Sequence, residues 1–227
     1  MRPDAGIGAV TVERDGIRRL VQPPDYAPAL AHRLSVGLGD PVLLTERIDE
    51  LHNGFWHLWS TAWQRKPPGR LIRLYFRVTP DRETAFVKRF SATAPNERAW
   101  CMKILSDVHF AGRSDVAVLY LDHEQGIGVE WLSDVIACVA PLLNVGGPPL
   151  TAPIAPGISW AEDPGQGVSF GEDRCRLLAT AACDEPEALN SVASWQQAVL
   201  QVFAKEGLDS AQPHLQHSKH RSVTYAI

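Results

Sequence analysis

The sequence predicts an α+β fold: a small, mostly antiparallel sheet packed against helices in a single domain that carries one long Pro/Gly-rich loop. Three observations carry that reading. The length of 227 residues, with 45% hydrophobic and 21% charged residues, suits one globular domain. Apolar segments beginning near residues 70, 100 and 116 have strand character. Between and after them lie segments of helical periodicity with capping signals.

Taken in order, Gly8-Ala9-Val10-Thr11-Val12-Glu13-Arg14 alternates as a short strand, and Pro23-Pro24-Asp25-Tyr26 breaks the chain before a short helix. From 45 to 63, Ile48, Leu51, Phe55, Leu58, Trp59 and Ala62 recur at helical spacing, with Trp56 and Trp63 widening the stripe. Lys66-Pro67-Pro68-Gly69 ends this expected helix, whose aromatic side reads as core. In the strand over 70–78, Ile72, Leu74, Phe76 and Val78 face the core, and Arg73, Tyr75 and Arg77 line the other face. Thr79-Pro80-Asp81 starts a helix over 81–92. Strands over 100–105 and 116–121 follow, joined by a loop with His109, Arg113 and Asp115, and a buried helix over 129–143 is broken by Pro141. Ten of the twenty-six residues from 144 to 169 are Gly or Pro, which predicts a long loop with little regular structure. Ser169 and Glu172 form a capping box for a helix to about 183, and a last helix spans 189–205. The chain divides into a variable segment over 1–40, the domain over 41–216 and a polar tail over 217–227.

Charge and targeting signals exclude several function classes. A net charge of −4 gives no reason to expect nucleic acid or an anionic membrane. No apolar run approaches the ~20 residues of a membrane span, and the first residues lack a signal peptide's basic start and apolar stretch, so a cytoplasmic location is expected. Cys101, Cys138, Cys175 and Cys183 form no C-x-x-C pair, and the histidines of the tail, His214, His217 and His220, accompany no ligand motif. Neither a metal nor an organic cofactor is therefore expected. Nucleophile elbows, P-loops and dinucleotide fingerprints are missing from the sequence.

The net charge hides a local excess. Residues 70–113 hold nine Lys or Arg against four acids, a net of +5 that leaves −9 for the rest. Arg73 or Arg77 and Lys103 fall on neighbouring strands, Arg113 lies in the loop entering the next strand, and Arg174 lies one turn into the capped helix. Guanidinium forks bind phosphate oxygens in pairs, and a helix N-terminus adds free N–H groups, so these residues outline a phosphate pocket if they converge. A solvated cationic face is the alternative.

The ordered motifs R-L-Y-F-R (73–77), M-K-I-L (102–105), R-S-D-V-A-V-L-Y (113–120), A-P-G-I-S-W-A-E-D-P-G (155–165), S-F-G-E-D-R-C (169–175), G-L-D (207–209) and P-H-L (213–215) resemble the HopA-type effector family over residues 40 to 216. Besides plant-pathogen effectors, that family includes proteins of bacterial peptide natural-product pathways, among them class V lanthipeptides and thioamitides. The resemblance implies a lyase: a partner Ser/Thr kinase phosphorylates a precursor peptide, this protein eliminates phosphate to leave dehydroalanine or dehydrobutyrine, and a cyclase can follow. β-Elimination needs a base for the Cα proton, charge stabilisation for the phosphate and an acid on the leaving oxygen. Lys103, in a buried-pattern strand beside arginines, is the expected base. Arg73, Arg77, Arg113 and Arg174 are the expected phosphate ligands; Tyr120 or His109 is the acid, and Asp115 orients an arginine. Glu162, Asp163 and Ser169 are assigned to a substrate loop. A non-catalytic binding module, either an effector-like protein engaging a host target or a phosphopeptide-binding partner of a kinase, accounts for the same cations and differs in lacking turnover.

Overall fold

Strands form where large apolar and β-branched side chains alternate, but which strands meet is decided by partners distant in sequence. The structure, a computed structural model, describes residues 10–14, 17–21, 26–28, 41–44, 50–52, 55–65, 70–105, 112–123, 130–165 and 167–216. Strand β1 (Val10–Arg14) pairs with β2 (Ile17–Val21), and β3 (Tyr26–Pro28) with β4 (Val42–Leu44), both antiparallel. The main sheet has seven strands: β5 (Glu50–His52), β6 (Phe55–Trp59), β7 (Leu71–Phe76), β8 (Trp100–Leu105), β9 (Ala117–Asp122), β10 (Ala152–Ala155) and β11 (Ile158–Glu162). Their spatial order is β10-β11-β7-β9-β8-β6-β5, antiparallel throughout. With helices α1 (Thr61–Arg65), α2 (Glu83–Thr93), α3 (Glu130–Val139), α4 (Phe170–Asp184) and α5 (Val192–Lys205), the fold is α+β.

One face of the sheet carries the main core. Ile72, Leu74 and Phe76 of β7, Leu119 and Leu121 of β9, and Met102 and Ile104 of β8 pack against Phe86 and Phe90 of α2 and Leu132, Val135 and Val139 of α3. Phe90 meets Trp100 edge-on at a centroid separation of 5.1 Å, a favoured aromatic geometry. On the other face, Tyr75, Val118 and Ala161 pack against Phe170 at the start of α4. The rest of α4 joins α5 through Leu177, Ala181, Ala198, Val202 and Phe203. Among the described residues, the start of α4 therefore covers part of this second face, over β11, β7 and β9.

Two sequence expectations change here. The segment over 45–63 is not one helix: it supplies β5 and β6, and among its described residues the helical ones belong to Thr61–Arg65. Its aromatics satisfy helical spacing and strand alternation alike, and pairing of β6 with β8 decides between them. Ser60 marks the change, its buried Oγ accepting from the Trp63 and Trp100 backbone N–H groups at 3.1 Å each. Tyr26–Pro28 forms β3, a strand the sequence did not announce, and the short helix expected beyond the break falls on residues 29–40, outside the described residues.

The Pro/Gly-rich stretch likewise holds the β10–β11 hairpin, which widens the sheet beyond β7. Its turn needs Gly157, at φ +77°, because a Cβ there would stand 2.3 Å from the Asn144 carbonyl oxygen. We expect Gly157→Ala to lower unfolding free energy by more than ~1 kcal/mol, measured by denaturant titration, since both the positive φ and the contact oppose a side chain.

Candidate functional site

Strand alternation sends Arg73 and Tyr75 of β7, Val118 and Tyr120 of β9, Cys101 and Lys103 of β8, and Phe55 and His57 of β6 to the face opposite the main core. Arg113 and Asp115 join them from the segment entering β9. Away from the part covered by α4, this face gathers a cationic and aromatic cluster. The Lys103 Nζ lies 4.6 Å from the centroid of the Phe55 ring and 5.9 Å from that of Tyr120. The Arg73 guanidinium lies 5.2 Å from the Tyr120 centroid, and that of Arg113 5.9 Å from Phe55. Arg113 donates from Nε and Nη2 to the two Asp115 carboxylate oxygens at 2.8 and 2.7 Å, a bidentate fork that uses two of its five N–H donors.

The charges are tuned by this crowding. Burial, then the cations Arg73 and Arg113, push the Lys103 ammonium below its ordinary pKa, with Asp115 and Cys101 opposing. Burial also disfavours the Asp115 carboxylate, yet the hydrogen bond and charge of Arg113 outweigh it and hold the carboxyl below the usual range. The Tyr120 phenol is pushed up to about 12, chiefly by burial and against the pull of Arg73. Burial raises the Tyr75 hydroxyl as well. The cluster thus offers a half-buried amine with a weakened grip on its proton, two guanidinium groups and a carboxylate that orients one of them.

Of the residues singled out in the sequence, Arg73, Lys103, Arg113, Asp115 and Tyr120 come together here. Arg73 departs from the expectation of an open cationic strand face: it is 7% exposed, and it donates from Nε to Asp163 at 2.5 Å and from Nη2 to the Val168 carbonyl at 3.0 Å. Arg77 does not join the cluster through its guanidinium contact, which is with the Val145 carbonyl at 2.6 Å. Arg174 is 2% exposed and is committed to the scaffold. It pairs with Asp173, donates to the carbonyls of Pro213 and Leu215 at 2.9 Å each, and lies over the Phe170 ring.

Ser169, expected in a substrate loop, has its hydroxyl engaged by the Glu172 backbone N–H, and the Glu172 side chain returns the contact, completing the capping box. Glu162 is buried against His123 at 3.4 Å and accepts from the Gln216 backbone N–H at 2.6 Å. Asp163 holds Arg73 and also accepts from the Gly165 backbone N–H at 2.6 Å. These acids border a cavity of about 350 Å³ lined by Arg70, His123, Glu162, Asp163, Arg174 and Glu206 among others, which touches the cluster through the Arg73–Asp163 pair. His109 lies outside the described residues.

His57 was invisible in the sequence because its segment read as helix. As part of β6 it stands directly opposite Lys103 in register. The signal that could have located it is the strand reading of Phe55-Trp56-His57-Leu58-Trp59, whose period of two puts Phe55, His57 and Trp59 on one face and Trp56 and Leu58 on the other.

Fold and cluster define an antiparallel-sheet α+β protein with a helix-backed core face and a cationic, aromatic working face. The chain belongs to the HopA1 effector protein family, whose model matches residues 48–215. It resembles the solved structure of the effector protein from Pseudomonas syringae pv. tomato strain DC3000, with a TM-score of 0.54 at 16% identity over 77% of this chain and 65% of that one. A second effector structure, from Pseudomonas syringae pv. syringae strain 61, gives a TM-score of 0.47 at 19% identity over 72% of this chain and 63% of that one. The chain thus covers just under two thirds of each effector's length. No functionally curated protein matches its sequence. Among the described residues, no helix is long and apolar enough to cross a membrane, and no group of three or more His, Cys, Asp or Glu is placed to hold a metal ion.

Proposed function

We propose that the protein is a phosphoserine/phosphothreonine lyase that eliminates phosphate from a phosphorylated precursor peptide in peptide natural-product biosynthesis. The observation that carries this reading is Lys103, a half-buried lysine between two aromatic rings with Arg73 and Arg113 beside it. Such surroundings favour the neutral amine, which is the form a base requires, and the neighbouring cations support the reading that a phosphate dianion is held beside it.

The neutral Lys103 amine takes the Cα proton of the phosphorylated residue. The electron pair of that C–H bond forms the Cα–Cβ double bond as the Cβ–O bond breaks, and phosphate departs with the bonding pair. Arg113 neutralises the charge developing on the leaving group, while Arg73, buried and paired with Asp163, backs the site from within the sheet. The product is dehydroalanine from phosphoserine and dehydrobutyrine from phosphothreonine. The proton on Lys103 returns to solvent to complete the cycle. A Ser/Thr kinase must supply the phosphorylated substrate, and the electrophilic alkene it yields suits a cyclase that adds a thiol.

The test is to incubate the protein with a phosphothreonine precursor peptide and follow peptide mass. Loss of phosphoric acid over many turnovers supports the reading; a stoichiometric complex with intact phosphopeptide would show a binding module instead. Because Arg113 is surface-accessible and acts on the phosphate, Arg113→Ala is expected to raise KM and lower kcat/KM roughly 10- to 100-fold, as steady-state kinetics would read. That range corresponds to loss of a charge-assisted contact of about 1.5–3 kcal/mol.

A further inference from the structure

The elimination assigned to this face has a base and phosphate ligands; of the two acids expected from the sequence, His109 lies outside the described residues and Tyr120 is poorly suited. Tyr120 remains in the phenol form, and its burial makes it hold that proton more tightly than an ordinary tyrosine does. The register supplies another group. Reading across the working face from the outer strand, Glu50 of β5 stands opposite His57 of β6, His57 opposite Lys103 of β8, and Lys103 opposite Val118 of β9. Side chains directly opposite in an antiparallel pair have Cβ atoms ~4.5–5.5 Å apart, within reach of an imidazole and a lysine that share one substrate. Imidazole is also the side chain whose ordinary pKa best suits proton donation near neutrality.

The groups around His57 fit the assignment. Its register partners are position 50 of β5 and Lys103 of β8; Cys101 and Leu105 are its diagonal neighbours on β8, and Phe55 and Trp59 flank it on its own strand. His57 itself is half-buried, so a peptide on this face can reach it.

We propose that His57 is the general acid that protonates the departing phosphate oxygen, with His57 and Lys103 forming an acid and base pair across two adjacent strands. The proposal rests on the lyase reading and adds one step to it: as the Cβ–O bond breaks, the imidazolium N–H bond breaks toward the phosphate oxygen, and His57 regains its proton from solvent.

The test compares the pH dependence of phosphothreonine elimination by the wild type and by His57→Gln, with thermal melting as a folding control. The wild-type rate is expected to flatten or fall once pH passes the imidazole's pKa, because the base gains activity as the acid loses it. His57→Gln is expected to be roughly 100- to 1,000-fold slower at neutral pH, with a rate that rises without a break until Lys103 is deprotonated. Wild-type activity with an unchanged rate and profile in a folded His57→Gln would overturn the assignment while leaving the lyase reading intact. No elimination by wild type at any pH would overturn the lyase reading itself. If His57→Gln fails to fold, the wild-type profile still decides, since a monotonic rise through neutral and alkaline pH excludes an imidazole acid.

Discussion

Replacing Lys103 with Met is expected to lower kcat for phosphate elimination roughly 100- to 10,000-fold while leaving the melting temperature unchanged or higher. The two effects have opposite signs because the site holds this lysine against its ordinary chemistry. Burial and the neighbouring Arg73 and Arg113 lower its pKa in the folded state. Between that value and the ordinary 10.5, the unfolded chain binds more protons at this position than the folded one. The resulting destabilisation is fully present below the folded pKa and is relieved as pH rises toward 10.5. Met fills similar volume beside Phe55 and Tyr120 without a charge to desolvate, so it removes the destabilisation together with the base. Parallel kinetics and melting curves check both halves; a variant that loses activity only by losing its fold would refute the assignment.

Arg174→Ala is expected to act in the opposite way, reducing stability by ~2–4 kcal/mol. The guanidinium is almost fully buried, and its removal leaves the carbonyls of Pro213 and Leu215 and the carboxylate of Asp173 without their donor. Because those carbonyls belong to the segment after α5, the loss frees that segment from α4 as well as opening a space over Phe170. Chemical denaturation would read the change. The variant that remains folded should keep its KM for phosphopeptide, since Arg174 holds the scaffold and not the phosphate; a selective rise in KM at unchanged stability would return it to the binding site.

These two residues also mark what sequence could and could not convey. Lys103, Arg113, Asp115 and Tyr120 lie in or beside strands whose apolar runs are locally unambiguous, and β8 spans the expected residues 100–105. The capping box of Ser169 and Glu172 is equally local, four residues that satisfy one another. Arg174, one turn further on, follows a favourable helix start in sequence, but its partners lie 39 and 41 residues away. No local pattern announces such contacts.

The same limit explains β5, β6 and the hairpin of β10 and β11. Phe55, Leu58, Trp59 and Ala62 fit a helical stripe, and only the neighbouring edge of β8 makes the strand the better solution. The Pro and Gly residues around 150–157 are turn formers, but between them Ala152–Ala155 and Ile158–Glu162 find partners, and β11 docks on β7. Misreading 45–63 as a helix concealed His57, because its meaning depends on standing opposite Lys103. Of the charge excess over 70–113, Arg73, Lys103 and Arg113 gather on one sheet face, whereas Arg77, and Arg174 beyond that segment, turn to carbonyls of the scaffold.

The central claim is that this face eliminates phosphate with Lys103 as base, and mass spectrometry of a phosphothreonine precursor peptide incubated with wild type or folded Lys103→Met tests it most directly. The account predicts multiple-turnover conversion to the dehydrobutyrine peptide with equimolar inorganic phosphate for the wild type, and intact phosphopeptide for Lys103→Met. Equal conversion by both proteins, or intact phosphopeptide with wild type, would contradict it.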